Sequence, residues 1–172
     1  MKHPKISIRP AVEADLPEIA AIYDDARAFM RSYGNTKQWP DACYPSLESA
    51  QADLEDGILY VAENAEGIVG TFVLVPGPDP TYGYIENGGW RENTPYLAIH
   101  RVASRGGGVL KAALEHVCPR YDHIRMDTHE DNAPMRHVLE KLGFSHRGTI
   151  YVEDGTPRMA FDLLEGNHGK NQ

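Results

Sequence analysis

The stretch that most constrains this chain is Tyr96 to Ala113, Y-L-A-I-H-R-V-A-S-R-G-G-G-V-L-K-A-A. Tyr96, Leu97, Ile99 and Val102 suit a covered, pleated surface, so the first part reads as a strand. The triplet Gly106 to Gly108 permits φ > 0 and brings the backbone close to whatever lies above it. From Val109 the apolar period becomes helical, with Leu110, Ala113, Leu114 and Val117 on one stripe. Such a turn offers unpaired N–H groups and the positive end of a helix dipole to an anion, phosphate above all. A βα connection that binds nothing would look the same, so the turn needs its context.

The chain around it, 172 residues, is long enough for one domain with a sizeable core. A helix is expected over Glu13 to Tyr33 and a second over Leu47 to Asp56, capped by Ser46 and ended by Gly57. Ile58 to Ala62 and Ile68 to Val75 read as a hairpin closed at Asn64–Gly67. Tyr82 to Glu86 suggests a further short strand. His123 to Thr128 suggests another, followed by a helix from Asn132 to Leu142 and a last hairpin formed by Phe144 to Val152 and Arg158 to Leu164. Ile6 to Arg9 opens the order as a strand, and Gly166 to Gln172 reads as a polar tail. The order implies an α/β fold with a mixed sheet, in a single domain with its core at about residues 6–164 and a tail at 165–172.

Composition narrows the function. Seventeen basic against 25 acidic residues give a net charge of −8, which disfavours nucleic acid as a partner. An acidic surface suits a cationic amine substrate, and it is equally a plain solubility feature. No apolar run spans a membrane and no signal segment opens the sequence, so a cytoplasmic location without membrane contact is expected. Cys43 and Cys118 stand alone, without CxxC spacing.

Several residues could carry chemistry, each with a plainer reading beside it. His100 is either a satisfied core histidine or a proton carrier near neutral pH. By strand alternation it shares a face with Ala98 and Val102, and Arg101 one with Ile99. Asp127-Thr-His129-Glu-Asp131 is a polar strand end, or three ligands meeting one metal on an extended segment. Asn132 is an N-cap or a ligand contact. Trp39, Tyr44 and Trp90 are loop anchors or walls of a substrate pocket. No G-x-S-x-G elbow and no P-loop spacing occurs.

Arg105-Gly-Gly-Gly-Val-Leu110 after a strand, then Asn132-Ala-Pro-Met…Leu139-Glu-Lys-Leu-Gly-Phe144, together with Ile8-Arg-Pro-Ala-Val-Glu-Ala-Asp-Leu16 and Ile68-Val-Gly70, resemble the GNAT superfamily of acyl-CoA-dependent N-acetyltransferases. Gln38-Trp39, Tyr44-Pro45, Ile99-His100-Arg101 and Asp127-Thr-His129-x-Asp131-Asn132 resemble a bacterial branch whose substrates are mostly unassigned. The resemblance implies a mixed, mostly antiparallel sheet flanked by helices, with a splayed central strand. It implies acetyl-CoA as cosubstrate, with the backbone amides of Arg105, Gly106, Gly107, Gly108, Val109 and Leu110 on its pyrophosphate. Arg101, Val102 and Ala103 would pair with the pantetheine arm, and Asn132 would lie near it. The implied reaction is direct acetyl transfer to a primary amine of a small molecule or peptide, with no metal required. A homodimer, common in that family, stays open.

On this reading His100 or His129 is the expected base, and Trp39, Tyr44 and Trp90 wall the acceptor pocket. Two positions depart from the family's pattern. Leu110 replaces a glycine or alanine at the end of the turn, and Leu139 stands where a tyrosine often protonates the thiolate. His129, Ser104 or Tyr151, or else water, is left to serve as acid. The alternatives are an acyl-CoA-binding module without turnover and a metal-dependent hydrolase built on Asp127, His129 and Asp131.

Overall fold

The computed structural model describes residues 5–164; the expected tail lies outside the described residues. The chain gathers into two compact units, residues 5–74 with 101–117, and residues 75–100 with 118–164. Strand β4 (Leu97–Ser104) passes from the second into the first between His100 and Arg101.

In the first unit, β1 (Ser7–Pro10), β2 (Leu59–Asn64) and β3 (Gly67–Pro76) pair antiparallel in that order. Val61, Phe72 and Val73 are fully buried, and because the last two are neighbours β3 is covered on both faces. A 3-10 turn at Glu13–Asp15 leads into α1 (Leu16–Ser32), whose buried stripe is Ile19, Ile22, Tyr23, Ala26 and Met30. Ser46 and Ser49 cap α2 (Leu47–Glu55) reciprocally: each backbone N–H donates to the other's hydroxyl, at 2.8 and 3.2 Å. Helix α3 (Val109–Val117) buries Val109, Leu110, Ala113, Leu114 and Val117. Gly70 lets β3 approach the start of α3, since a Cβ there would lie 2.7 Å from Val109 Cγ2.

In the second unit, β5 (His123–Thr128) lies between β4 and β7 (Pro157–Leu164), and β6 (Ser145–Tyr151) follows β7. The β5–β7 and β7–β6 pairs are antiparallel and the β4–β5 pair parallel. That parallel ladder covers two residues, Leu97↔Ile124 and Ala98↔Arg125, although β4 continues into Ile99 and His100 and β5 to Thr128. The strands part there, as a splayed strand requires. Helix α4 (Ala133–Lys141) buries Leu139 completely. The fold is mixed α/β, with mostly antiparallel strands and flanking helices.

Three local expectations change. Tyr82 to Glu86 is no strand: a 3-10 turn spans Pro80–Tyr82, and Glu86 makes one isolated bridge to Thr149. Asp79 caps that turn through the Thr81 N–H and hydroxyl and Gly83 ends it, so Tyr82 belongs to the turn and not to a ladder. Arg101 has φ +50°, the left-handed region that non-glycine residues rarely occupy. A positive φ within β4 breaks the alternation expected to align His100 with Val102. Asp127, His129 and Asp131 share no extended face either, because β5 ends at Thr128 and the chain turns at Glu130–Asp131.

Candidate functional site

The glycine turn lies in the first unit. Gly108 has φ +92°, while Gly106 and Gly107 adopt no positive φ. A Cβ at Gly106 or Gly107 would meet no atom within 4 Å. The first helical bond runs from Ala112 N–H to Gly108 O, 3.0 Å, so the N–H groups of Val109, Leu110 and Lys111 precede the intrahelical ladder. Arg105 departs from the expectation, because its N–H already donates to Val69 O at 2.9 Å. Its guanidinium is held by Glu18 and by Asp25, at 2.8 Å for the latter. The expected pyrophosphate contacts are thereby reduced to Gly106–Leu110. Leu110 is buried with the core stripe of α3.

Arg101 turns its guanidinium into a bidentate pair with Asp53, 2.9 and 3.0 Å, and donates to Tyr44 Oη at 2.5 Å. The Arg101 fork thus anchors the strained position to α2 and to the loop before it. Tyr44 is half exposed, whereas Trp39 is buried and meets Tyr23 edge-on, centroids 5.9 Å apart. Trp39 serves as the anchor of its loop. The Tyr23 hydroxyl, wholly buried without a hydrogen-bond partner, has its pKa pushed up by burial and by nearby Asp53.

The second unit contains a denser polar cluster. His100 Nε2 lies 2.7 Å from Asp79 Oδ2, and His100 Nδ1 lies 3.8 Å from Asp127 Oδ2. Tyr82 donates its hydroxyl to the same Asp127 oxygen, 2.7 Å. Burial pushes the Asp79 carboxyl up, but hydrogen bonds from His100 and from the Thr81 hydroxyl and amide outweigh it and hold the pKa at about 2. An ionised carboxylate only accepts. His100 Nε2 therefore carries the proton of that bond, which leaves Nδ1 as the second nitrogen for proton exchange. Burial, and then Asp127, raise the Tyr82 hydroxyl well above its ordinary value, so it remains a donor.

His129 is buried at the turn after β5; its Nδ1 accepts from Asp131 N–H at 3.0 Å. Asn132 caps α4, accepting from Met135 N–H at 3.2 Å. Among the described residues no group of three or more His, Cys, Asp or Glu side chains is placed to hold a metal ion. Trp90 lies in the second unit: its indole donates to Tyr82 O at 2.9 Å, and its ring packs over the Arg125 guanidinium at 4.1 Å. Ser104 and Tyr151 are exposed, and the Tyr151 hydroxyl donates to Glu86. No helix among the described residues is long and apolar enough to cross a membrane.

Local sequence gave no sign of Asp79, Tyr82, Asp53 or Arg125. Asp79 sits between two prolines in an apparent loop, and its partner is 21 residues away.

The family model for the Acetyltransferase (GNAT) domain matches residues 5–145. The chain belongs to the GNAT acetyltransferase family. No curated protein matches this GNAT chain. A GNAT-family acetyltransferase from Streptococcus agalactiae is 27% identical with a TM-score of 0.85, over 94% of this chain and 97% of that one. Two more distant structures share the fold. An aminoglycoside acetyltransferase in complex with coenzyme A and kanamycin is 16% identical, TM-score 0.66, over 96% and 98% of the two chains. The NatC complex bound to Gag peptide and CoA gives 15%, 0.59, 93% and 98%. The enzyme class is thus acyltransferase, specifically N-acetyltransferase.

Proposed function

We propose that this GNAT enzyme transfers acetyl from acetyl-CoA to a primary amine by direct attack, with His100 as the general base. The observation that carries the reading is the 2.7 Å contact between His100 Nε2 and an Asp79 carboxylate held ionised. It supports Nε2 as the nitrogen that donates in that bond, with Nδ1 as the accepting one. A free alkyl amine has a pKa near ~10.4 and must shed a proton before it can attack. As the N–C bond forms and the thioester C–S bond breaks, the amine's proton passes to His100, directly or through a water, and on to the departing thiolate.

The amides of Gly106–Leu110 would hold the pyrophosphate, supported by the open space over Gly106 and Gly107 and by the coenzyme A in two fold relatives. The backbone of Arg101, Val102 and Ala103 would pair with the pantetheine arm as an added strand, with Asn132 near that arm. In β4 the base thus immediately precedes the pairing segment. Tyr44 and Trp90 remain the candidates for the acceptor wall, Trp39 having gone to the core. His129, held by Asp131 at its turn, is the lesser candidate for base. The location would be cytoplasmic.

The buried Leu139, where the family often has a tyrosine, favours a second reading: a module that binds acyl-CoA without turnover. Thiol release from acetyl-CoA over an amine panel separates the two. The transferase reading expects turnover that falls roughly 10²–10⁴-fold in H100Q, the range of general-base catalysis, with acetyl-CoA affinity unchanged. Tight acetyl-CoA binding with no thiol release from any amine would establish the module instead.

A further inference from the structure

The second unit carries an open depression of about 220 Å³, whose lining includes Asp79, Tyr82, Trp90, Asn93, Tyr96 and Arg125. Arg125 is its anomaly. It is 5% exposed, with its guanidinium carbon 4.1 Å from the ring centroids of both Trp90 and Tyr96. Its hydrogen bonds go to neutral acceptors, Glu92 O at 2.8 Å and His123 Nε2 at 3.3 Å. Among the described residues it makes no ion pair. The carboxylate opposite it in the β5–β7 ladder, Asp162, is taken by Arg91 at 2.5 Å and faces Arg147 at 3.8 Å. One anion thus serves two other arginines. In a chain of net charge −8, an unpaired buried cation on a cavity wall is costly to keep, and the two aromatic faces offset only part of that cost. Burial pulls the Arg125 pKa down, against the opposing influence of Tyr96 and Asp162.

The lining also holds the opposite charge, the Asp79 carboxylate that grips His100. Between them the walls are aromatic. The volume lies below the ~300 Å³ at which drug-sized pockets begin. A free amino acid fits within it.

We propose that this cavity binds a free α-amino acid with an apolar side chain, its carboxylate on Arg125 and its ammonium on Asp79, and that this amino acid is the acetyl acceptor. The second clause rests on the transferase reading above. The α-ammonium gives one proton through water to His100 Nδ1, and from there to solvent, and becomes the nucleophile. Its nitrogen forms the amide bond as the C–S bond breaks, and the thiol leaves with the second proton. An N-acetyl amino acid and free coenzyme A result.

The test is calorimetric titration of the full chain with L-leucine and L-phenylalanine, each beside its amide and its deaminated acid. The amino acids should bind. Loss of either charged end should weaken binding about 10- to 100-fold, the range for a charge-assisted contact. In R125Q the acid and the amide should bind alike, while R125K should keep part of the preference. If R125Q does not fold, the wild-type acid-to-amide ratio still decides. Equal binding of acid and amide, or no amino-acid binding at all, overturns the assignment. Thiol release with spermidine as acceptor separates the two layers. Release with spermidine but no amino-acid binding overturns this inference and leaves the transferase standing. Carboxylate-dependent amino-acid binding without thiol release from any amine upholds the cavity assignment and overturns the transferase reading.

Discussion

In the first unit, Arg105 meets Glu18 and Asp25 at the surface, Arg9 reaches Glu63 in the same partly wet setting, and the feature read as a cofactor cradle is made of main chain. In the second, Asp162 is 0% exposed, Arg125 is stacked between two rings, and His100 sits among Asp79, Asp127 and Tyr82. The first unit would recognise its ligand by backbone amides, which any residue supplies if the turn keeps its shape. The second would recognise by side-chain charges removed from water, where each substitution matters. Shape governs one region and charge the other.

The contrast can be broken from the charged side first. Asp162→Asn leaves Arg91 without its buried partner and should cost about 3 kcal/mol, read as a lower denaturant midpoint at pH 7. A loss under 1 kcal/mol would mean that the buried charges of this unit matter no more than surface ones.

Next, Gly108→Val places a β-branched residue at φ +92° and should cost about 1–2 kcal/mol. Under the proposed function it also raises KM for acetyl-CoA more than it lowers kcat. Gly107→Ala, with open space above it, should leave stability nearly unchanged, which separates backbone shape from mere glycine content.

A further effect is expected in the acid range. The folded Asp79 pKa is depressed from 3.8 to about 2, so its stabilisation is fully present above about pH 4 and is lost as pH falls toward 2. Asp79→Asn should flatten that limb of the stability–pH curve, followed by circular dichroism. An unchanged limb would show that Asp79 gains nothing from its partners. The smallest change should come from Glu18→Ala, at most about 0.5 kcal/mol for an exposed pair and diminishing with added salt.

Much of this fold was legible because its signals are local. Ser46 with Ser49, the glycine at 57, the strand His123–Thr128 and the apolar stripe of α3 each act within a few residues, and the structure keeps them all. The candidate site was legible mainly where it is backbone: the turn was visible, although Arg105 N–H had a prior engagement with Val69. What the sequence withheld depends on distant partners. Asp79 was invisible as the partner of His100, and Asp53 as the clamp on Arg101, 48 residues away. The left-handed backbone of Arg101 was illegible for the same reason, since Ile99-His-Arg-Val102 favours an ordinary strand and the kink is imposed from outside it.

The two tryptophans of the chain fall one to each unit, Trp39 buried beside Tyr23 in the first and Trp90 stacked on Arg125 in the second. The molecule therefore carries one intrinsic fluorophore per unit. A Trp39→Phe protein emits from the second unit alone and a Trp90→Phe protein from the first, so a pair of emission traces in denaturant reveals whether the shared strand makes the two melt as one.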